Sequence, residues 1–216
     1  LLNTTPSVYA TKSGGGFGDA RITIRGFAQE NIAVLINGVP VNDMENGRVY
    51  WSNWAGLSDV TTAMQVQRGL GSSKLAISSV GGTINIITKT TDLQEGGSIV
   101  SSVGNDGYFK NLASYNTGKN ENGFAASFLM SRTAGNGYVD GTEFEGFNYF
   151  VGLGWDRGDH NFQFMLTGAP QTHNQRTTSF YNMADIGDYL KYGKKYNYNH
   201  GYLNGEEFNW RQNFYH

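Results

Sequence analysis

The stretch Phe147-Asn148-Tyr149-Phe150-Val151-Gly152-Leu153-Gly154-Trp155 decides the reading of this chain. In an extended strand Phe147, Tyr149, Val151, Leu153 and Trp155 fall on one face, and Asn148, Phe150, Gly152 and Gly154 on the other. The neighbouring runs repeat the pattern. Phe124, Ala126, Phe128 and Met130 alternate with Ala125, Ser127, Leu129 and Ser131; Phe162, Phe164 and Leu166 alternate with Gln163, Met165 and Thr167. Weaker versions cover residues 99–103 and 109–117. Each run is about the ~9–11 residues of a tilted strand crossing a bilayer, with large apolar side chains on one face and small or polar ones on the other. On this reading Phe128, Tyr149, Leu153, Phe162 and Phe164 face lipid, while Ser127, Gly152 and Gln163 face a lumen.

The connections alternate in length. Residues 118–123 and 156–159 are short and polar, residues 135–146 are longer, and no strand is evident after Gly168. A soluble sandwich with one wet face shares the alternation. The aromatic weight of one face and the alternating loop lengths favour a membrane barrel. About five strands are visible, against the ~8 that a closed membrane barrel needs. An open apolar sheet would leave unpaired edges in lipid. The 216 residues, which open on Leu1-Leu2-Asn3, are therefore expected to be the front portion of a longer polypeptide.

Composition agrees. Glycine, at 30 of 216 residues, is about double the usual ~7%, and charged residues, at 16%, lie below the usual ~25%. A net charge of −2 gives no basic face for nucleic acid. The absence of cysteine removes disulfides, thiolate metal sites and a cysteine nucleophile. His160, His173, His200 and His216 form no metal-binding spacing, and Asp43 and Glu45 do not fit a calcium loop. With no acid–base or nucleophile motif, an enzyme is not expected, nor any cofactor.

The first 92 residues have another character. Ile22 and Ile24 alternate with Thr23 and Arg25, and the run Ala33-Val34-Leu35-Ile36 ends at Asn37-Gly38, the signature of a buried strand and a tight hairpin turn. Residues 58–63 and 72–76 could each start a short helix, and strands are expected around Met64-Val66 and residues 83–88. The expected core is Ile22, Ile24, Val34, Ile36, Val66, Ile84 and Ile86.

In order along the chain stand Ile22-Thr23-Ile24-Arg25-Gly26-Phe27, Val34-Leu35-Ile36-Asn37-Gly38-Val39-Pro40-Val41, Gln67-Arg68-Gly69 and Gly81-Gly82-Thr83-Ile84-Asn85-Ile86-Ile87-Thr88-Lys89. Together they resemble the plug domain of TonB-dependent outer-membrane receptors. Asn42-Asp43-Met44-Glu45-Asn46-Gly47 and Tyr50-Trp51-Ser52-Asn53-Trp54-Ala55-Gly56 resemble the form found in Bacteroidetes. Asn37 and Leu70 depart from the family's usual Asp and Pro, and Ile77-Ser78-Ser79 from its Tyr-Gly-Ser.

The resemblance implies an α+β plug domain over residues 1–92, the first strands of an antiparallel transmembrane barrel over 93–169, and a long extracellular loop region over 170–216. The complete family barrel has 22 strands. The implied function is import of a scarce ligand across the outer membrane of a Gram-negative bacterium, with energy supplied through TonB, whose binding segment would lie outside this chain. Outer-membrane lipid is an implied partner, and the Bacteroidetes form leaves room for a surface lipoprotein. The ligand stays open. A secreted adhesin that recognises carbohydrate on aromatic loops is the competing reading, and a diffusion porin would explain the strands but not the motifs before them.

The longest and most varied apical loop supplies the expected ligand site: Asn42, Asp43, Glu45, Arg48, Tyr50, Trp51, Asn53 and Trp54 combine charge, amide groups and aromatic faces. The alternative use of Trp51 and Trp54 is to pack beneath the loop. Arg25 and Arg68, each just before a glycine at a strand end, are expected to pair with carboxylates on the barrel wall.

Overall fold

A computed structural model describes residues 5–12, 20–54, 56–69, 80–174, 187, 190–197, 200–203, 206–209 and 211–214. The glycine run 14–18 and the helix expected over 72–76 lie outside these residues.

The N-terminal unit is built on a parallel pair. β3 (Ile32–Ile36) lies beside β6 (Gly82–Ile87) in parallel register, Ile32 opposite Gly82 and Ile36 opposite Ile86. β5 (Ala63–Arg68) runs antiparallel on the far side of β6, and the short β4 (Val39–Pro40) on the far side of β3. The β3–β4 turn is Asn37-Gly38, both with positive φ (49° and 83°), the two-residue hairpin geometry expected of that dipeptide. Every residue of Ile32-Ala33-Val34-Leu35-Ile36 is buried, so this strand is a continuous apolar run rather than an alternating one. A hairpin of β1 (Val8–Lys12) and β2 (Ala20–Ile24) adds Val8, Ile22 and Ile24 to a core with Val34, Ile36, Val49, Leu57, Ile84 and Ile86. Of the expected core only Val66, on the outer strand β5, is half-buried. The helix expected over 58–63 is one turn, α1 (Leu57–Val60). Gly56 enters it in the left-handed region at φ 85°, and Thr61 leaves it extended.

The second unit is an antiparallel sheet in chain order: β7 (Gly96–Val103), β8 (Phe109–Asn116), β9 (Phe124–Gly135), β10 (Phe144–Arg157) and β11 (His160–Gly168). The β9–β10 register pairs Phe128 with Val151, Ala126 with Leu153 and Phe124 with Trp155 on one face. It pairs Ser127 with Gly152 and Leu129 with Phe150 on the other. The faces differ sharply: Phe128 is 46% exposed and Leu153 47%, while Ser127 and Leu129 are each 3% exposed. The N-terminal unit covers the second face, and the expected assignment of faces holds for all eight residues. Gln163 confirms its side through a hydrogen bond from its amide nitrogen to Thr91 Oγ1 at 3.2 Å.

The expectation that residues from 170 onward are loop is corrected at both ends. β12 (Gln171–Asn174) continues β11 in unbroken register on β10, Gly168 facing Tyr149 and Gln171 facing Gly146. Pro170 separates them: it accepts from Phe147 N at 2.9 Å but has no N–H to return, so one ladder bond is missing. β15 (Arg211–Phe214) then pairs antiparallel with β12. Between them β13 (His200–Leu203) and β14 (Glu206–Asn209) form a separate hairpin. Gln171-Thr172-His173-Asn174 carries no apolar alternation, so pairing alone reveals it as strand.

The connections 117–123 and 158–159 lie at one end of the strands; 104–108 and 136–143 lie at the other, where β12 ends and β15 begins. No helix of the described residues is long and apolar enough to cross a membrane.

Candidate functional site

The loop after β4 is shaped by its own polar side chains. Asn42 is buried; its Oδ1 accepts from Val34 N at 2.8 Å, and its Nδ2 donates to Ile32 O at 2.9 Å and Gly47 O at 2.8 Å. Asp43 Oδ1 accepts from Glu45 N and Asn46 N at 2.9 and 3.0 Å, an Asx turn. Asp43 N donates to Arg48 O and Gly47 N to Asp43 O, closing the loop. Gly47, at φ 72°, packs against the Glu30 carbonyl, where a β-carbon would stand 3.3 Å from the oxygen. Asn46 Nδ2 donates to the Tyr50 hydroxyl at 2.9 Å, and Arg48 Nε to Glu30 Oε1 at 2.7 Å. The Glu30 carboxyl is held below its ordinary value chiefly by a backbone hydrogen bond, with Arg48 adding to it against a desolvation penalty.

The structure gives the residues of the expected site different surroundings. Asn42 is a fastener, with its amide fully engaged inside the loop. Trp51 and Trp54 pack against the core of the N-terminal unit. Glu45, Arg48 and Tyr50 are exposed, and the loop displays Met44 at 97% exposure. Trp51 Nε1 and Asn53 Oδ1 are buried with no hydrogen-bond partner among the described residues, a cost of about 1–3 kcal/mol each unless a group from outside the loop meets them. The described residues hold no cluster of three or more His, Asp or Glu that could bind a metal ion.

A second set of contacts joins the N-terminal unit to the sheet. Lys110 projects inward from β8 and places Nζ at 3.0 and 2.8 Å from the two Asp59 oxygens of α1. Both side chains are about four-fifths buried, at 21% and 20% exposure. Beside them Val60 packs against Leu112, Leu129 and Phe150 of the sheet. The Gln171 amide nitrogen donates to Ser52 O. Two glycines of β10 make room for the chain leaving β6: a β-carbon at Gly152 would collide with Thr90 Oγ1, and one at Gly154 would lie 2.6 Å from Thr91 Cγ2. Thr88 and Asn37 both donate to the Met165 sulfur, at 3.5 and 3.8 Å.

Comparison with known proteins agrees with this architecture. The TonB-dependent Receptor Plug Domain family matches residues 1–83. Residues 1–83 are a TonB-dependent receptor plug domain. The vitamin B12 transporter BtuB of Vibrio vulnificus is 26% identical over 106 residues, 49% of this chain and 17% of that protein. The ferric enterobactin receptor PirA of Pseudomonas aeruginosa is 34% identical over 101 residues, 41% of this chain and 14% of that protein. The matched stretches thus span less than a fifth of those relatives. Among solved structures, the ferric yersiniabactin uptake receptor FyuA from Yersinia pestis superposes with a TM-score of 0.61 at 17% identity, over 81% of this chain and 29% of that one. The FrpB iron transporter from Neisseria meningitidis gives 0.58 at 21% identity, over 82% and 30%. These structures share the fold: a plug docked inside the opening strands of a barrel. The chain belongs to the outer membrane of a Gram-negative bacterium, and the large apolar side chains of β8–β11 are exposed on the face turned away from the plug.

Arg25 and Arg68 of the plug are exposed and form no ion pair with the wall among the described residues. Among the described residues the ion pair between plug and wall has its cation, Lys110, on the wall and its carboxylate, Asp59, on the plug. The missed signal was a lone Lys at an inward position of an otherwise uncharged strand.

Proposed function

We propose that this chain is the plug and first strands of a receptor that imports a scarce ligand through a 22-stranded barrel, driven by TonB. One observation carries the reading: a self-contained plug docks on the inner face of a sheet whose outer face is apolar. A diffusion pore has no use for such a plug, and an adhesin has no use for the apolar outer face. The relatives' printed ligands, vitamin B12 and ferric enterobactin, make cobalamin and iron–siderophore complexes the first ligands to test. The Bacteroidetes form, with a surface lipoprotein partner, is supported by the motif of residues 42–56. Ligand would meet the plug at Glu45, Arg48, Tyr50 and the unpaired polar atoms of Trp51 and Asn53, on a loop whose shape Asn42 and Asp43 fix beforehand.

The test is uptake of radiolabelled ferric enterobactin and vitamin B12 by cells carrying the full-length receptor. Uptake of either that stops in a strain without TonB, or after a protonophore, supports the reading. Uptake that continues unchanged in both conditions overturns it in favour of a pore.

A further inference from the structure

The outer face carries a groove of about 690 Å³ at the end of the sheet with the short turns. Short turns mark the periplasmic side of an outer-membrane barrel. Ala126 and Thr117 line the groove as small residues among large ones. Phe124, Trp155 and Phe162 wall one end, their rings 6.0 and 5.7 Å apart with Trp155 in the middle, and Leu153 and Phe164 continue the wall towards mid-membrane. Trp155 is fixed rather than free: Nε1 donates to Asn122 O at 3.0 Å, and His160 stacks on the ring at 6.5 Å and 8°. The volume lies in the ~300–1,000 Å³ range of ligand-sized cavities.

The strand alternation puts Arg157 on the same face, one step beyond Trp155 and opposite His160. Arg157 is exposed and has no ion pair among the described residues. The neighbouring carboxylate, Asp156, belongs to the opposite face and is held by Lys119 at 3.2 Å. Arg157 lies outside the groove's lining, two residues past Trp155 on the same strand face, and a cation just beyond the aromatic end of an apolar groove suits one occupant, an amphiphile with a phosphate head and a hydrocarbon tail.

We propose that the groove across β9, β10 and β11 is a binding site for one glycerophospholipid of the periplasmic leaflet, with an acyl chain along Ala126 and the phosphate at Arg157. The aromatic cluster marks the membrane–water boundary at which that phosphate sits.

Trp155 reports on occupancy. The full-length receptor is reconstituted in vesicles containing either a dibrominated-acyl phosphatidylethanolamine or a dibrominated diacylglycerol, which lacks the phosphate, at equal mole fraction. The Trp155 signal is the difference between the receptor and its Trp155→Phe variant, which removes the plug and loop tryptophans from the account. The brominated phospholipid should quench Trp155 about two- to fivefold more than the diacylglycerol, as an exposed charge contact would give. Arg157→Gln should abolish that excess, and Arg157→Lys should keep part of it. Ala126→Phe, which fills the groove, should reduce quenching by both lipids. Heat-modifiable gel migration establishes folding of each variant. Equal quenching by the two lipids in the wild type, or an unchanged excess in a folded Arg157→Gln receptor, overturns the proposal and leaves ordinary contact with bulk lipid.

Discussion

The plug and the wall use the same side chains in opposite ways. The plug turns Ile24, Ile32, Ile36 and Ile84 inward, against one another, and meets its surroundings through Asp59, Thr88, Asn37 and Thr91. The wall turns Phe128, Leu153, Phe162 and Phe164 outward, and presents Ser127, Ser131, Asn148 and Gly152 to the plug. The difference follows from the solvent. A plug in a wet lumen must supply its own core, whereas a strand between lipid and lumen must show lipid its apolar side. Large apolar residues therefore turn inward in one region and outward in the other.

The comparison breaks hardest at the plug core. Ile84 is fully buried between β3 and β5. Ile84→Ala should cost about 2–5 kcal/mol, read as a lower denaturant midpoint for proteolytic opening of the plug in the intact receptor. An unchanged midpoint would mean the plug draws its stability from the wall. The matching change on the wall is Leu153→Lys, which should destabilise the folded barrel by about 2–4 kcal/mol near mid-membrane, measured by urea unfolding in vesicles. The same Lys at Ser127 should leave the lipid contact intact and disturb plug docking instead.

The junction between the two regions gives a smaller effect. Removing either Lys110 or Asp59 leaves a largely buried charge alone and should cost about 1–3 kcal/mol. The swapped pair Asp59→Lys with Lys110→Asp should recover part of the loss in a double-mutant cycle. Additive losses, with no coupling, would move the plug–wall attachment to Val60 and its apolar neighbours.

The smallest effect is the acid response of the loop after β4. The Glu30 carboxyl lies lower in the folded state than in the unfolded one, so its stabilisation is complete above the ordinary carboxylate range. It is lost as pH falls through the folded value. With Arg48 half-exposed, the change is small and screened by salt. Amide exchange in residues 42–48 should speed up below about pH 4 in the wild type, and Arg48→Ala should flatten part of that response. Exchange that ignores pH would place the loop's order in the Asn42 and Asp43 hydrogen bonds alone.

Residue order sets the faces of β9, β10 and β11, because a period of two with one face covered leaves no choice of side. It determined the Asn37-Gly38 turn, because few other dipeptides accept two left-handed residues in succession. It determined most of the plug core, where branched apolar residues cluster in short strands. The tertiary structure alone decided which polar side chains remain available at the candidate site. Asn42 and Glu45 read alike as polar loop residues, yet Asn42 is consumed by three backbone groups that only the folded chain brings within 3 Å. It alone decided that Gln171-Thr172-His173-Asn174 is strand, since hydrogen bonds to β10 and β15 need no apolar pattern. It alone joined Asp59 to Lys110 across 51 residues, because local preferences carry no information about which distant charge will lie opposite.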